Sequence, residues 1–591
     1  MKPFALVNRK VLQKIRKGTL LMIGVLIASL IAMIIYFIGV IITVSISKEG
    51  TTNILKKGLG WFLVGYAVTA VIFYFIMPTV TVPNMLIANT IIAVVLLPLF
   101  LYSIQVGEKA ETRKLTPLVA LITLAAIGII IVTIAGFASL DEAHQSIDVS
   151  MEEEAKPLSK DETPITVAPE FARNKIQKSM SVVPNPQFYD LGKLQVQKVN
   201  GEVVYVAPVE FSGFWKFVRG KETPGYFTIS ATNVNAQPEF HDSPMQYTNS
   251  SYFHKNVNRV IYNKYPQYIQ SGEAQIEVDE DGKPWYVQSL YRPVHITNKP
   301  DMKELMVVVI DPVTSDMKMY HTSEAPEFIE GSISSEIASL QNDYFGKYIH
   351  GWLNSVFGKR DVKIPNESGS ESSVTPIFDE NGSMFYFTDL TSPKENIDSA
   401  LGYTLIDART GELTYYSGET NNAIMDSEGA KQIVNKEFPE KRWEGYMPVL
   451  YNIDGNPTWV VNVLDPNGLH KQYAYIKAND SDFVVFGETA NKALDAYRMA
   501  LLQNPGNVGA TDEALLETKT GEINRVLVTS TEQGQVVQFL LQADQTIYTV
   551  NASNVPLAIF LEKGDKITAE VNMLDNGTAT VETMKIEGLT Q

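Results

Sequence analysis

The chain has 591 residues, with 49 Lys and Arg against 66 Asp and Glu, and a formal net charge of −17. This balance argues against a nucleic-acid-binding surface, because phosphate contacts need clustered Lys and Arg. No cysteine occurs, so cysteine nucleophiles and thiolate metal sites are excluded.

The first part of the chain is strongly apolar after a basic tail at residues 1–18. Four segments without Asp, Glu, Lys or Arg cover residues 19–47, 58–78, 84–106 and 115–140. Each is long enough for a helix that crosses about 30 Å of hydrocarbon, which takes about 20 residues. The sequence therefore predicts a transmembrane region of four helices over residues 19–140, with the lipid bilayer as a partner.

Basic residues do not settle which side of the membrane the rest of the chain faces. The tail contains Lys2, Arg9, Lys10, Lys14, Arg16 and Lys17, and the loops on the other side contain Lys48, Lys56, Lys57, Lys109, Arg113 and Lys114. Cytoplasmic loops are enriched in Lys and Arg, but the two sides contain similar numbers of these residues, so this rule does not decide the orientation. The lack of cysteine suits an exported bacterial protein. We therefore expect a multi-pass cell-membrane protein whose large domain is extracytoplasmic.

The remaining residues are too many for one core and predict several domains. The fold class is α+β. An acidic linker is expected at residues 141–165, followed by two α+β modules at 166–330 and two at 331–488. A helix follows at 489–505. The alternating strands of residues 519–591 predict a small β-barrel of OB or SH3 type.

A short phrase recurs through the modules, an Asx-Gly pair followed by an aromatic and β-branched run. The pairs are Asn200-Gly201, Asp281-Gly282, Asn381-Gly382 and Asp454-Gly455. Asx-Gly accepts the positive φ angles of a tight hairpin, so each copy predicts a β-hairpin. Their spacing of about 70–100 residues favours one module built four times.

Each module is predicted to run helix, strand, Asx-Gly turn and strand, with an Asp-x-x-Thr exit after the last strand. The exits are clearest at 407–412 and 311–316. This order resembles the PepSY module of bacterial envelope proteins. The whole chain resembles multi-pass bacterial or phage membrane proteins with tandem PepSY-like modules, on the runs 212–215, 223–226 and 346–352. The resemblance implies binding of a protein or peptide, or control of a peptidase.

Motifs for catalysis are missing from the sequence. It has no His-Glu-x-x-His, no phosphate-binding Gly-x-x-x-x-Gly-Lys loop and no Gly-x-Ser-x-Gly elbow. We predict no enzyme activity, no catalytic residue, no cofactor and no metal. The carboxylates Asp279, Glu280 and Asp281, with Asp379 and Glu380, could bind Ca²⁺, but they lack the alternating calcium-loop pattern and fit solvated hairpin turns better.

Two aromatic groups remain as candidates. Tyr348, His350 and Trp352 could form a recognition pocket, although core packing of the third module is the expected role. The second group could form a partner-binding or membrane-facing surface, with a local core as the alternative. We take this second group as the candidate partner surface; its members are Phe211, Phe214, Trp215, Phe217 and Tyr226.

The preferred hypothesis is a non-catalytic multi-pass membrane protein that displays a tandem-repeat protein-binding, sensor or scaffold domain. Its expected partners are the bilayer and a protein or peptide, and not nucleic acid. The alternative is a structural subunit of an envelope secretion or assembly complex, because four helices exceed what an anchor needs. A hydrolase without a recognisable motif is a third reading.

Overall fold

The computed structural model describes most of the chain. The described residues are 36–41, 43–44, 50–103, 116–152, 167–294, 297–366, 373–379, 382–394, 399–417, 424–503, 517–531, 534–552, 555–573 and 578–589. They form an α+β protein with several helices and many β-sheets. The predicted basic tail and most of the first apolar segment lie outside these ranges.

Three helices among the described residues are long and apolar enough to cross a membrane, which fits membrane association. They are α1 (Thr51–Ile76), α2 (Val82–Tyr102) and α3 (Thr116–Gln145). Of the first predicted segment, residues 36–41 and 43–44 are described and helical. Lys56 and Lys57, expected in a loop, lie within α1 instead. The Lys57 ammonium donates to the Ser103 carbonyl oxygen at 2.9 Å, where the carbonyls that end α2 favour a cation.

The turn between α1 and α2 packs against the α+β region that follows α3, which is called the soluble region below. Met77 ends α1 in a left-handed conformation with φ 51°, and Pro83 lies in the first turn of α2. The Val80 amide donates to the Pro266 carbonyl oxygen at 2.8 Å, and the Tyr262 hydroxyl donates to the Pro78 carbonyl oxygen at 2.8 Å. The turn between these two apolar helices is therefore in direct contact with the α+β region that follows α3.

Helix α3 continues past its apolar segment into the soluble core. Leu140, Ala143 and Ile147 are buried in the main hydrophobic cluster. Strand β1 (Val149–Glu152) then pairs in parallel with the edge of a sheet, with Val149 opposite Leu413. The predicted linker at 141–165 therefore begins with structured residues, because apolar side chains between its acidic residues pack into the main hydrophobic cluster.

Among the described residues that follow α3, four sheets precede the C-terminal barrel, and their strands pair antiparallel except for β1 with β16 (Leu413–Tyr416) in the third sheet. Apart from β1, the strands of each sheet follow a helix. The helices are α4 (Pro169–Ser179), α6 (Val257–Lys264), α7 (Ser335–Lys347) and α9 (Ser427–Glu437), with the short α5 (Phe214–Gly220) and α8 (Gly351–Leu353) inserted. The first sheet comprises β2 (Tyr189–Leu191), β3 (Gln195–Val199), β4 (Glu202–Phe211), β5 (Thr223–Ser230) and β6 (Glu239–Met245). The second comprises β7 (Ile269–Gln270), β8 (Gln275–Val278), β9 (Pro284–Pro293), β10 (Pro300–Ile310) and β11 (Met317–His321).

The third and fourth sheets follow in the same manner. The third comprises β1, β12 (Ile364–Pro365), β13 (Thr375–Phe378), β14 (Met384–Thr391), β15 (Ala400–Asp407) and β16 (Leu413–Tyr416). The fourth comprises β17 (Glu444–Ile453), β18 (Asn456–Leu464), β19 (His470–Lys477) and β20 (Val484–Gly487), and α10 (Ala490–Gln503) follows it. Membership of the four units in the PepSY family stays a prediction.

The first strand of each sheet shows how the four units compare. In the first three sheets two short strands pair with the same neighbour: β2 and β3 with β4, β7 and β8 with β9, and β12 and β13 with β14. In the fourth sheet one long strand, β17, takes the place of the two short strands. It pairs with β18, and the pairing shifts register between Tyr446 and Val449. A bulge can therefore replace the break between the two short strands.

The Asx-Gly hairpins fall into two types. Asn200 and Gly201 have φ 50° and 86°, and Asp454 and Gly455 have φ 50° and 79°. Both pairs are two-residue turns with two positive φ angles, as Asx-Gly favours. At Gly282 the loop is longer, because Val278 pairs with Pro284. The Phe378–Met384 pairing gives the same loop length around Gly382.

The last part of the chain forms a closed barrel of five strands in the order β21-β22-β23-β25-β24. The strands are β21 (Glu517–Thr531), β22 (Gly534–Leu541), β23 (Ile547–Asn551), β24 (Lys566–Met573) and β25 (Thr578–Ile586). The barrel has its own hydrophobic cluster, separate from the main core. Its assignment to the OB or SH3 type stays a prediction.

Candidate functional site

Four of the five predicted aromatic residues converge at one edge of the first sheet. Phe211 ends β4 and is buried, and its ring lies 5.5 Å from that of Phe217 on α5. Phe214 contacts Trp215 at 5.2 Å between ring centroids. The Trp215 side chain is 73% exposed, so the cluster has a buried base and an exposed rim.

Two exposed aromatic residues, which the sequence did not single out, extend this aromatic cluster. Tyr252 lies 5.1 Å from the Phe214 ring and 5.6 Å from the Phe217 ring. Phe253 lies 5.9 Å from the Phe214 ring. Both side chains are exposed. Their signal in the sequence was only a Tyr-Phe pair, and their place beside α5 is a tertiary contact that no local pattern predicts.

Tyr226 does not belong to this surface. Its side chain is buried, it stacks on the His241 ring at 4.7 Å, and its hydroxyl donates to the Gly282 carbonyl oxygen at 2.8 Å. Burial raises the pKa of Tyr226 to about 12. Tyr226 therefore connects the first sheet to the hairpin of the second and is a structural residue.

Backbone strain surrounds the aromatic cluster. Lys221, which follows α5, has φ 67°, and Phe253 has φ 55°. A positive φ is costly for a residue with a side chain and persists only where the surroundings enforce it. At Phe253 the strained backbone presents an exposed aromatic ring, which is the observation that points to a function for this surface.

A buried carboxylate fixes the loop that carries Tyr252 and Phe253. Glu210 accepts hydrogen bonds from the Ser250 amide at 3.2 Å and from the Ser250 hydroxyl, and the Tyr286 hydroxyl donates to its other oxygen at 2.7 Å. Burial raises the pKa of Glu210, while these hydrogen bonds oppose the rise. The Ser250 hydroxyl also accepts from the Phe211 amide at 2.8 Å, so both halves of the cluster are tied to one site.

The segments that carry the cluster are rich in basic residues, although the chain as a whole is acidic and Glu222 lies at the end of one of them. Residues 212–221 contain Lys216, Arg219 and Lys221 and no Asp or Glu, and residues 243–272 contain three basic residues and no acidic one. The Lys255 ammonium lies 3.3 Å from the Lys221 carbonyl oxygen. An exposed aromatic surface on segments rich in basic residues suits a partner that carries negative charge.

The second predicted group, Tyr348, His350 and Trp352, lies against helix α3. The Trp352 ring stacks on Phe137 with 4.8 Å between centroids, and the Tyr348 ring lies 5.5 Å from Tyr344. The His350 ring nitrogen Nε2 lies 2.8 Å from an Asp361 carboxylate oxygen, which is held at the surface. The Trp352–Phe137 contact joins the third unit to helix α3, and the contacts of Tyr348 and His350 lie within the third unit.

The hairpin carboxylates make local hydrogen bonds. One Asp279 oxygen accepts from the Asp281 and Lys283 amides at 3.1 and 2.9 Å, and the other accepts from the Trp285 indole at 2.9 Å. The described part of the chain contains no group of three His, Asp or Glu residues arranged to hold a metal ion. Glu380 lies outside the described residues.

A buried carboxylate, Glu277, and a partly buried one, Glu330, lie between the sheets and were not predicted. Both Glu277 oxygens accept backbone amides, from Glu330 at 2.8 Å and Gly331 at 2.9 Å, and Glu330 accepts the Lys198 amide at 2.6 Å. Burial raises the pKa of Glu277 to about 7. Burial, with repulsion from Glu277, raises that of Glu330 to about 8. The only signal in the sequence was a Glu at an inward position of a short strand.

A third buried carboxylate holds the start of the fourth unit. Asp389 on β14 accepts the Ser427 amide and hydroxyl, both at 2.8 Å, at the beginning of α9. Burial raises the pKa of Asp389 to about 6. Glu210, Glu277 and Asp389 thus each bind the segment that precedes or begins the next helix. They act as joints between successive sheets.

No protein-family model matches the chain, and no curated protein matches it.

Proposed function

We propose that this chain is a non-catalytic multi-pass membrane protein whose soluble region is a protein-binding scaffold or sensor, built from four tandem PepSY-like modules and an OB-type barrel. The strand order β21-β22-β23-β25-β24, with β23 and β25 parallel, supports the OB type over the SH3 type. The direct contacts of the soluble region with the α1–α2 turn and with α3 suit a domain held in a fixed pose above a bilayer.

The aromatic cluster carries the protein-binding part of this proposal. Trp215 and Phe253 are exposed, the backbone of Phe253 has a positive φ, and Lys216 and Lys255 lie on the same segments. Exposed aromatic and Arg side chains are enriched among the residues that dominate binding energy at protein interfaces. We therefore assign the partner surface to Trp215, Tyr252 and Phe253, with Phe214 and Phe217 beside them, and we take Phe211 as the buried base that supports it. Tyr226 is not part of this surface.

Site-specific photo-crosslinking tests this assignment. A photo-reactive phenylalanine analogue replaces Trp215 in the full chain in its own membrane, because α3 and β1 belong to the soluble core and should not be removed. The matched control carries the analogue at Lys492, an exposed residue on α10. A discrete protein adduct at position 215 and none at 492 is expected. Lipid adducts alone, or no adduct, would contradict the proposed protein-binding surface.

The proposed location of the soluble region is the extracytoplasmic face of the cell membrane. The chain has no cysteine, so a single cysteine at the exposed barrel residue Leu527 can be labelled uniquely. A membrane-impermeant maleimide should label it in intact cells. Labelling only after the cells are broken would place the region in the cytoplasm and change the class of partner.

A further inference from the structure

A short segment of the third unit has an apolar face that is exposed to solvent. It comprises α8 and a single π-helical turn, Asn354–Gly358. Leu353, Val356 and Phe357 are 56%, 54% and 80% exposed. Residues three and four apart lie on the same face of a helix, so these three side chains form one apolar stripe.

The segment is attached to a membrane helix at a defined depth. Trp352, beside the stripe, stacks on Phe137 of α3 at 4.8 Å. Gly351 lies against Asp141, and a Cβ at this glycine would be 3.4 Å from the Asp141 carboxylate. Residues 115–140 have no charged side chain and Asp141 is the first one after them. The segment therefore lies where the apolar surface of α3 gives way to the polar one, the level that Trp favours in membranes.

Basic residues follow the stripe at once. Lys359 ends the π-helical turn with φ 51°, and the Asn354 side chain fixes the chain reversal by accepting the Arg360 amide at 3.1 Å and donating to the Arg360 carbonyl oxygen at 2.8 Å. Residues 344–360 contain no Asp or Glu. The next acidic residue in the chain, Asp361, already contacts His350 at 2.8 Å and Arg360 at 3.4 Å.

We propose that residues 351–360 form an interfacial anchor in which Leu353, Val356 and Phe357 insert among the acyl chains of the bilayer that α3 crosses, while Lys359 and Arg360 contact anionic phospholipid headgroups. This inference rests on the proposed function, because it takes α3 as membrane-spanning. The combination of an apolar stripe, a Trp at the boundary and flanking cations is that of an amphipathic helix lying in a membrane interface. Its continuity with α3 favours lipid over a protein as the occupant.

Fluorescence quenching in reconstituted vesicles tests the anchor. The full-length variant Phe357→Cys is labelled with an environment-sensitive fluorophore in vesicles of phosphatidylcholine and phosphatidylglycerol. A second set of vesicles contains phospholipid spin-labelled on the acyl chain. Two reference variants receive the same label, Ile130→Cys on the exposed face of α3 and Leu527→Cys on the barrel. We expect a loss of fluorescence at position 357 that approaches the loss at 130, and none at 527.

The outcomes separate this inference from the proposed function. Quenching at 130 with a water-like, unquenched label at 357 would overturn the anchor and leave the membrane-spanning role of α3 intact. A blue-shifted but unquenched label at 357 would show that protein covers the stripe, which also overturns the anchor. An unquenched label at 130 would contradict the proposed function itself.

The headgroup contact has its own test in the same background. The equilibrium constant for insertion of the stripe is the ratio of quenched to unquenched label at position 357. In vesicles with phosphatidylglycerol, the substitutions Lys359→Gln and Arg360→Gln should each lower this constant roughly five-fold. In phosphatidylcholine alone they should leave it unchanged. Equal quenching of the parent and the double variant in both lipids would overturn the contact with anionic headgroups.

Discussion

Replacing Glu330 by Gln should stabilise the protein at alkaline pH and have little effect in acid. The carboxylate of Glu330 is partly buried beside Glu277 and accepts one backbone amide at 2.6 Å. Its pKa is raised from 4.5 to about 8 by burial first and by repulsion from Glu277 second. The Gln side-chain oxygen can accept the same amide, so the substitution removes the charge and keeps the hydrogen bond.

The sign and size of the effect follow from proton linkage. Below pH 4.5 the carboxyl is protonated in both the folded and the unfolded chain, and it contributes no pH dependence. Between 4.5 and about 8 the unfolded chain loses this proton and the folded chain keeps it, so stability falls as pH rises. From the two pKa values, the loss is about 1 kcal/mol at pH 5 and about 4 kcal/mol at pH 8.

Thermal unfolding of the full chain in detergent at pH 5 and pH 8 measures this difference. The Tm of Glu330→Gln minus that of the parent should grow by about 5 °C or more between the two values. The matched control is Glu336→Gln, the same change at a half-exposed carboxylate that contacts Lys193 at 3.4 Å. A Tm difference for Glu330→Gln that is equal at both pH values would refute the assignment of a raised pKa.

Three further predictions concern the fold. Gly225→Ala should destabilise the first sheet by about 1–3 kcal/mol or more, because φ is 151° and the added Cβ would collide with the His241 carbonyl oxygen. Chemical denaturation measures this loss. The neutral control is Gly136→Ala, where the added Cβ meets open space. Arg259→Ala should lower the unfolding free energy by about 2 kcal/mol and make the α1–α2 turn sensitive to protease. The Arg259 guanidinium donates to the Tyr74 carbonyl oxygen and lies 4.4 Å from the Tyr74 ring, so the substitution removes both contacts. Unchanged proteolysis would contradict the docking of this turn on the soluble region. A fragment of residues 166–591 should be less stable by about 4 kcal/mol than a fragment of residues 139–591. The shorter fragment lacks β1 and the buried side chains of Leu140, Ala143 and Ile147. Equal denaturation midpoints would show that the end of α3 is not part of the core.

Local sequence patterns predicted an α+β protein with long apolar helices in its first part, and the structure shows both. Local signals also mark where an element begins: helix α9 begins at Ser427, with the Asp426 carboxylate accepting the Gly429 amide as an N-cap. Such features depend on neighbouring residues, which is why the sequence reveals them.

Features that depend on distant residues were missed. The predicted linker at 141–165 includes β1, because its partner strand lies 264 residues later in the chain at Ser150 and Thr414. Tyr226 was placed with the aromatic surface because it is near in sequence, but strand geometry directs it to the opposite side, against Gly282. The pairing of Glu277 with Glu330 arises only when β8 and the segment after the second sheet meet.

The pairing of β1 with β16 has a consequence for biosynthesis. At about 5–20 residues per second, a ribosome needs roughly 13–50 s to extend the chain across the 264 residues between Ser150 and Thr414. Throughout that interval the end of α3 has emerged while the sheet edge that receives β1 does not yet exist. The nascent chain must therefore keep the apolar residues Leu140 and Ile147 from aggregation until the third sheet is made, a task well suited to the lipid surface or to a chaperone.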